Sequence, residues 1–211
     1  MNIKLQKVYR NSKYGFIDET GKIVIPCQWS EAGDFSEELA SVEDENGRWG
    51  FIDKTNKVVI PCQWYYAMHF SERLAQDVEE NMKNGFIDKT GKVVIPCQWE
   101  FIGDFSEGLV RVEDENKKFG YIDKAGQIVI PCQWNGAGDF SEGLESVKEN
   151  GKCGFIDKTG NVVIPCQWDY IEEYFRDGVA VVMNIRNGSM RFYDINKNGK
   201  VIGKGGTFFK G

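Results

Sequence analysis

A chain of 211 residues, 41% hydrophobic and 27% charged with a net charge of −6, is long enough to bury a core without disulfides and excludes a disordered or collagen-like protein. A pI near 5.0 gives no overall basic field to attract a phosphate backbone, so no nucleic-acid partner is expected. The longest apolar run, Val179 through Met183, is far below the roughly 18 to 20 residues of a membrane span, and Met1-Asn2-Ile3-Lys4 opens no hydrophobic signal region, so no membrane partner and a cytoplasmic location are expected.

Taken in chain order, the elements repeat. After a basic start carrying Lys4, Lys7, Arg10 and Lys13, a short apolar strand signal begins at Gly15-Phe16-Ile17-Asp18 and returns at Gly50, Gly85, Gly120 and Gly154. A turn follows each, as at Thr90-Gly91 and Thr159-Gly160. The next strand ends in Ile-Pro-Cys-Gln-Trp, which begins at Ile25, Ile60, Ile95, Ile130 and Ile164, spacings of 35, 35, 35 and 34. Asp-Phe-Ser-Glu comes next, at Asp34, Asp104 and Asp139, as His69-Phe70-Ser71-Glu72 in the second copy, and degraded to Tyr174-Phe175-Arg176-Asp177 in the fifth. A Leu-x-x-Val strand completes the series. In the second copy the strands are placed near 49–53 and 57–63, with the Leu-x-x-Val strand of the following unit near 74–79. A divergent sixth unit occupies about 178–203, and a short Gly/Lys-rich tail covers 203–211.

A period of 35 is close to that of helical repeats, and residues 64–83, free of Gly and Pro, read in isolation as a helix. The same segment in other copies carries Gly33, Gly103, Gly108, Gly136, Gly138 and Gly143, which no helix shared by all copies accommodates. The expected fold is therefore all-β: tandem units of about 35 residues, each three short antiparallel strands, in a single repeat domain over 1–211. An open superhelical stack with end caps is expected because the end units diverge while the inner ones are nearly identical; the alternative is a closed, propeller-like ring.

Strand alternation assigns Val58, Ile60, Cys62 and Trp64 to the core face and Lys57, Val59, Pro61 and Gln63 to the other. On this reading Cys27, Cys62, Cys97, Cys132 and Cys166, one per unit with no C-x-x-C pair, are reduced, buried packing residues, and no metal site is expected with His69 the single histidine. The five Trp residues belong to the same face, which favours packing over a ligand platform. Asp194 through Gly199 matches the opening of a calcium loop but has Gly205 at the position of the bidentate Glu, so a hairpin turn is expected. No polar constellation suggests a catalytic residue, and neither enzyme activity nor a cofactor is expected.

Units of the form aromatic-Gly-Phe-Ile-Asp-Lys-Thr-Gly-Lys-Val-Val-Ile-Pro, followed by an aromatic and Asp-Phe-Ser-Glu-Gly-Leu, resemble the bacterial WG repeat, also called the KWG repeat, over roughly residues 1–202. The naming pair is intact only at Trp49-Gly50; Tyr14, Asn84, Phe119 and Cys153 stand there in the other copies. The resemblance implies a β-repeat interaction module with no catalytic residues to carry over.

The copies differ most after each Trp: Ser30-Glu31-Ala32-Gly33, Tyr65-Tyr66-Ala67-Met68, Glu100-Phe101-Ile102-Gly103, Asn135-Gly136-Ala137-Gly138 and Asp169-Tyr170-Ile171-Glu172. Variable loops on a constant scaffold are candidate recognition sites. The expected function is a non-catalytic repeat scaffold that binds a protein or peptide partner through Tyr65, Tyr66, Met68, Phe101 and Tyr170; the alternative is carbohydrate or cell-wall binding through the aromatic rows. The basic ends, +4 over residues 1–13 and +5 over 183–211, leave −15 on the acidic body of a chain whose total is −6.

Overall fold

Each Gly-Phe-Ile-Asp run is short, apolar and closed on both sides by turn residues, and it forms the second-from-last strand of a sheet in every copy. In the computed structural model, which describes residues 4–209 with side chains as far as Lys204, the six successive sheets are antiparallel and none closes into a barrel. Among the described residues there is no helix. The first sheet has three strands, Gln6–Arg10, Lys13–Ile17 and Ile23–Trp29. The second is typical of the rest: Glu31–Ala32, Leu39–Glu43, Trp49–Asp53 and Val58–Trp64, hydrogen-bonded in that order.

The chain falls into two compact units, Met1–Trp99 and Glu100–Gly211, each holding three sheets. The unit boundary coincides with a sheet boundary, directly after Trp99 at the end of the third sheet.

The fourth strand is an addition to the three expected. Pairing that continues past the Trp recruits two residues of the variable segment in three copies, so Ala32 lies opposite Val42 and Ile102 opposite Val112, and a longer run in the other two, Tyr66–Ser71 and Tyr170–Arg176. The segment expected as a tail also joins a sheet: Val201–Phe209 pairs with Ser189–Asn196, and only 210–211 lie outside the described residues.

The expected alternation fails at one place. Ile60 and Trp64 turn inward, but Val58 is exposed, as are Ile23, Val93, Ile128 and Val162 in the same slot. The partner strand explains it: Ile52 faces Val58 while Phe51 faces Ile60, so Val59 is an extra residue and the side-chain direction flips across it. A second irregularity lies between Ile60 and Trp64, whose partners Phe51 and Trp49 are only two residues apart. That double bulge presses against the repeated Gly. A Cβ on Gly50 would lie 2.6 Å from the Ile60 carbonyl oxygen and 2.7 Å from the Cys62 nitrogen, and Gly15, Gly85, Gly120 and Gly154 are equally crowded. Glycine is required there by the close approach of backbone.

Sheets stack within each unit through the two repeated phenylalanine positions. The ring of Gly-Phe-Ile-Asp packs on the ring of the next Asp-Phe-Ser-Glu, as in Phe51 on Phe70 at 4.8 Å and Phe155 on Phe175 at 4.8 Å. The rest of the motif fastens the same interface. Ser36, Ser106 and Ser141 donate to the carbonyls of Phe70, Phe140 and Phe175. Glu37 accepts from the Arg73 N–H and pairs with Lys89 at 2.9 Å; Glu107 accepts from Gly143 and pairs with Lys158 at 2.8 Å; Glu142 accepts from Asp177 and Gly178 and pairs with Lys197 at 3.1 Å. The lysine bonds hold all three carboxyls below the usual glutamate range. Ser-Glu and the Lys after Gly-Phe-Ile-Asp are thus a clamp between neighbouring sheets.

Candidate functional site

The five Trp residues close the strands over the core. Trp29, Trp99, Trp134 and Trp168 are 6 to 9% exposed, and Trp64 is half-buried, so their ring faces are covered by protein. Trp29 donates its indole N–H to Asn56 Oδ1 at 3.2 Å; the buried indole nitrogens of Trp64, Trp99, Trp134 and Trp168 have no acceptor among the described residues. The cysteines are free thiols that are half-buried, not buried as expected. Cys27, Cys62, Cys97 and Cys166 lie in the bulged strand opposite the crowded glycine, and each Sγ rests near a carbonyl of the strand beyond, as Cys62 Sγ does 4.0 Å from Val42 O. Desolvation pushes the Cys62 and Cys132 thiols up to about 11. Among the described residues no group of three or more His, Cys, Asp or Glu side chains is placed to hold a metal ion.

The variable segments behave differently. Tyr65, Tyr66, Phe101 and Tyr170 are exposed and Met68 is half-buried. Tyr66, Phe101 and Tyr170 occupy one repeat position, the first residue of the added strand, whose other copies are Glu31 and Gly136. In the first unit Tyr66 and Met68 line a cleft of about 530 Å³ with Trp49, Glu31, Asp34, Ser41 and His69. Tyr66 packs edge-on against Trp49 at 5.0 Å. Tyr65 points instead into a separate cleft of about 550 Å³ with Arg48, Trp64, Glu79 and Glu80, where Arg48 pairs with Glu80. In the second unit Arg111 lies 5.2 Å from the Phe101 ring and Lys148 lies 5.8 Å from the Tyr170 ring.

Two acids that the sequence reading passed over break the repeat inside the core. Asp77 stands where Val42, Val112 and Val147 stand in other copies and is 0% exposed; its Oδ2 accepts from the Cys97 thiol at 3.1 Å, and burial raises its pKa to about 6. Glu145 stands where Ala40, Ala75 and Val110 stand and is 1% exposed; it accepts from the Gly138 N–H and the Ser146 hydroxyl, and burial raises it to about 8. One carboxyl oxygen of each has no partner among the described residues. Beside Glu145, Tyr121 replaces the usual Phe and donates to the Gly138 carbonyl at 3.0 Å. Superposing the copies on one another would have singled out all three.

These features define a tandem β-repeat protein with a constant stacked framework and a variable aromatic margin. The chain belongs to the family of WG-containing repeat proteins, whose family model matches residues 14–48, 49–76, 85–117, 119–153 and 154–184. None of the curated proteins compared matches it. Among solved structures it is similar in fold to Hsv2 of Kluyvelomyces marxianus, at 9% identity, 92% of this chain, 77% of that chain and a TM-score of 0.50. Fainter likenesses are to BamB of Moraxella catarrhalis, at 11% identity over 95% of this chain and 69% of that one with a TM-score of 0.44, and to the WD40 β-propeller domain of Doa1, at 12% over 98% and 79% with 0.37.

Proposed function

We propose that the chain is a non-catalytic interaction scaffold that binds a protein or peptide partner along the added strands following each Trp. The observation that carries this reading is the contrast between two aromatic sets. The repeated Trp rings are covered, whereas Tyr66, Phe101 and Tyr170 are exposed at a position where sister copies hold Glu31 and Gly136, so packing does not demand a ring there. Exposed aromatics at such places are the residue types enriched among interface hot spots. Carbohydrate binding through the Trp rows loses its support because sugar stacking needs an open ring face. The acidic Asp-Phe-Ser-Glu row is a weaker docking candidate, since Glu37, Glu107 and Glu142 are engaged in sheet-to-sheet clamps. The test is capture of a partner from the native host's lysate by the wild type and by the triple variant Tyr66→Ala, Phe101→Ala, Tyr170→Ala. The variant should lose a partner that the wild type retains while its thermal midpoint stays within a few degrees. Equal capture by both proteins would reject the aromatic margin as the docking surface.

A further inference from the structure

Sheet register places Lys7, Ser41 and Arg111 at one repeat position, opposite Phe16, Phe51 and Tyr121 respectively. Two of these three build the same seat for a cation. Lys7 Nζ donates to the Ala32 carbonyl at 2.8 Å and lies 5.5 Å from the Tyr14 ring. The Arg111 guanidinium donates to the equivalent carbonyl, that of Ala137, and lies between the rings of Phe101 and Phe119, 5.2 and 5.7 Å from their centroids. In both copies the chain supplies a ring before the repeated glycine, a carbonyl on the next sheet, and a cation of its own between them.

The Ser41 copy keeps the seat and lacks the cation. Trp49 is the ring before the glycine, Tyr66 stands 5.0 Å away, and Ala67 offers the carbonyl. No side chain among the described residues donates to that carbonyl, and no described Lys or Arg stands over either ring. The surrounding charge is reversed as well. Lys148, which covers Tyr170, occupies the slot that Glu43 occupies beside Trp49. Glu43 in turn lies directly across the strand pair from Glu31, a like-charge pairing that costs stability unless a cation relieves it. Neither glutamate has an ion-pair partner among the described residues, and the one lysine lining the cleft, Lys7, is held by Ala32 and Tyr14.

We infer that the cleft at Ser41, Trp49 and Tyr66 receives an arginine side chain of the partner, taking the place that Arg111 fills internally. This rests on the scaffold reading and names its first recognition element. Arginine suits the site better than lysine, because a planar guanidinium lies against an aromatic face while keeping donors free for the Ala67 carbonyl and the Glu31 and Glu43 carboxylates.

The test uses the full chain and three probes, acetyl-Gly-Gly-Arg-Gly-Gly-amide and its lysine and citrulline counterparts, followed by NMR of the Trp49 indole N–H and the Met68 methyl. The arginine peptide should give saturable shifts at both, with at least tenfold weaker binding for citrulline. Ser41→Arg, which reproduces the Arg111 arrangement, should raise the thermal midpoint and abolish the shifts; Glu43→Lys, mirroring Lys148, should weaken binding at least tenfold should the first variant fold poorly. Absence of saturable shifts, equal binding of citrulline, or an unchanged titration in both variants would overturn the inference. Self-association that produces the shifts without peptide and vanishes in Ser41→Arg would replace the foreign partner with a second copy of the chain. Loss of the captured partner in the triple alanine variant, with no response to the arginine peptide, would defeat this site and leave the scaffold reading standing.

Discussion

Asp77 and Glu145 sit in the core where the other copies place valine or alanine, and each keeps one carboxyl oxygen without a partner among the described residues. Burial penalises the charged form, so the folded pKa of Asp77 rises from an ordinary 3.8 to about 6 and that of Glu145 from 4.5 to about 8. Because both folded values lie above the unfolded ones, their favourable contribution is complete below about pH 4 and is lost as the pH climbs through 6 and then 8. Asp77→Val installs the residue of three sister copies and removes one of the two terms. Unfolding by urea should show the variant gaining on the wild type by about 2.5 kcal/mol between pH 4 and pH 8, at about 1.4 kcal/mol per pKa unit; a constant difference would mean that Asp77 does not titrate in that range. Both substitutions are visible when the copies are laid over one another, but their burial follows only from knowing that Val42 and Ala40 face the sheet interface. The exposed aromatics were readable for the opposite reason: Glu31 and Gly136 in the same slot already exclude a packing role.

At the scale of the strand, the repeated glycine and the double bulge opposite it are one device. Gly50→Ala would drive a Cβ into the Ile60 carbonyl oxygen and the Cys62 nitrogen, backbone atoms that cannot turn aside. A loss above about 3 kcal/mol is expected. Gly21→Ala is the control: its φ is +81° with nothing within 4 Å, so only the left-handed strain of about 1 kcal/mol should appear in thermal or urea unfolding. The bulge also accounts for what the alternating pattern of Val58, Ile60, Cys62 and Trp64 concealed, since apolar residues on both sides of an inserted residue look continuous while their side chains diverge. The two-residue strands were hidden because pairs such as Glu31-Ala32 and Gly136-Ala137 have no β preference of their own and are ordered by the neighbouring strand. Loop chemistry at the far end decides whether an indole N–H is paired. Asn56, with φ +67°, supplies the acceptor for the Trp29 indole, whereas the corresponding Gly160, at φ +87°, leaves the Trp134 indole N–H without one. Gly160→Asn would supply that acceptor, worth about 1 kcal/mol net, against left-handed strain and a Cβ placed 3.3 Å from Ile130 Cγ2, so stability should change little while a downfield-shifted Trp134 indole proton registers the new contact; an unshifted proton would reject it.

At the scale of the molecule, each of the two units draws its stability from its sheets and from the clamps between neighbouring sheets within it. The repeated Ser-Glu pair carries that coupling. Ser141 and Glu142 belong to the connection ahead of the strand Leu144–Glu149, yet their bonds run to the Phe175 carbonyl, the Asp177 and Gly178 N–H groups and the Lys197 ammonium, all in the final sheet. The sequence shows only that the motif recurs; the partners of Ser141 and Glu142 are 34 to 55 residues further along the same chain. Removing one clamp should therefore uncouple one sheet and spare the others. In the double variant Ser141→Ala, Glu142→Gln, native-state hydrogen exchange should show the amides of Val179–Arg186 and Ser189–Asn196 opening at a lower free energy than in the wild type. Protection of Trp49–Asp53 and Asn84–Asp88 in the first unit should be unchanged. A uniform fall in protection across both units would mean that the chain unfolds as a single cooperative body and that the Ser-Glu-Lys clamps do not set the boundaries of its folding units.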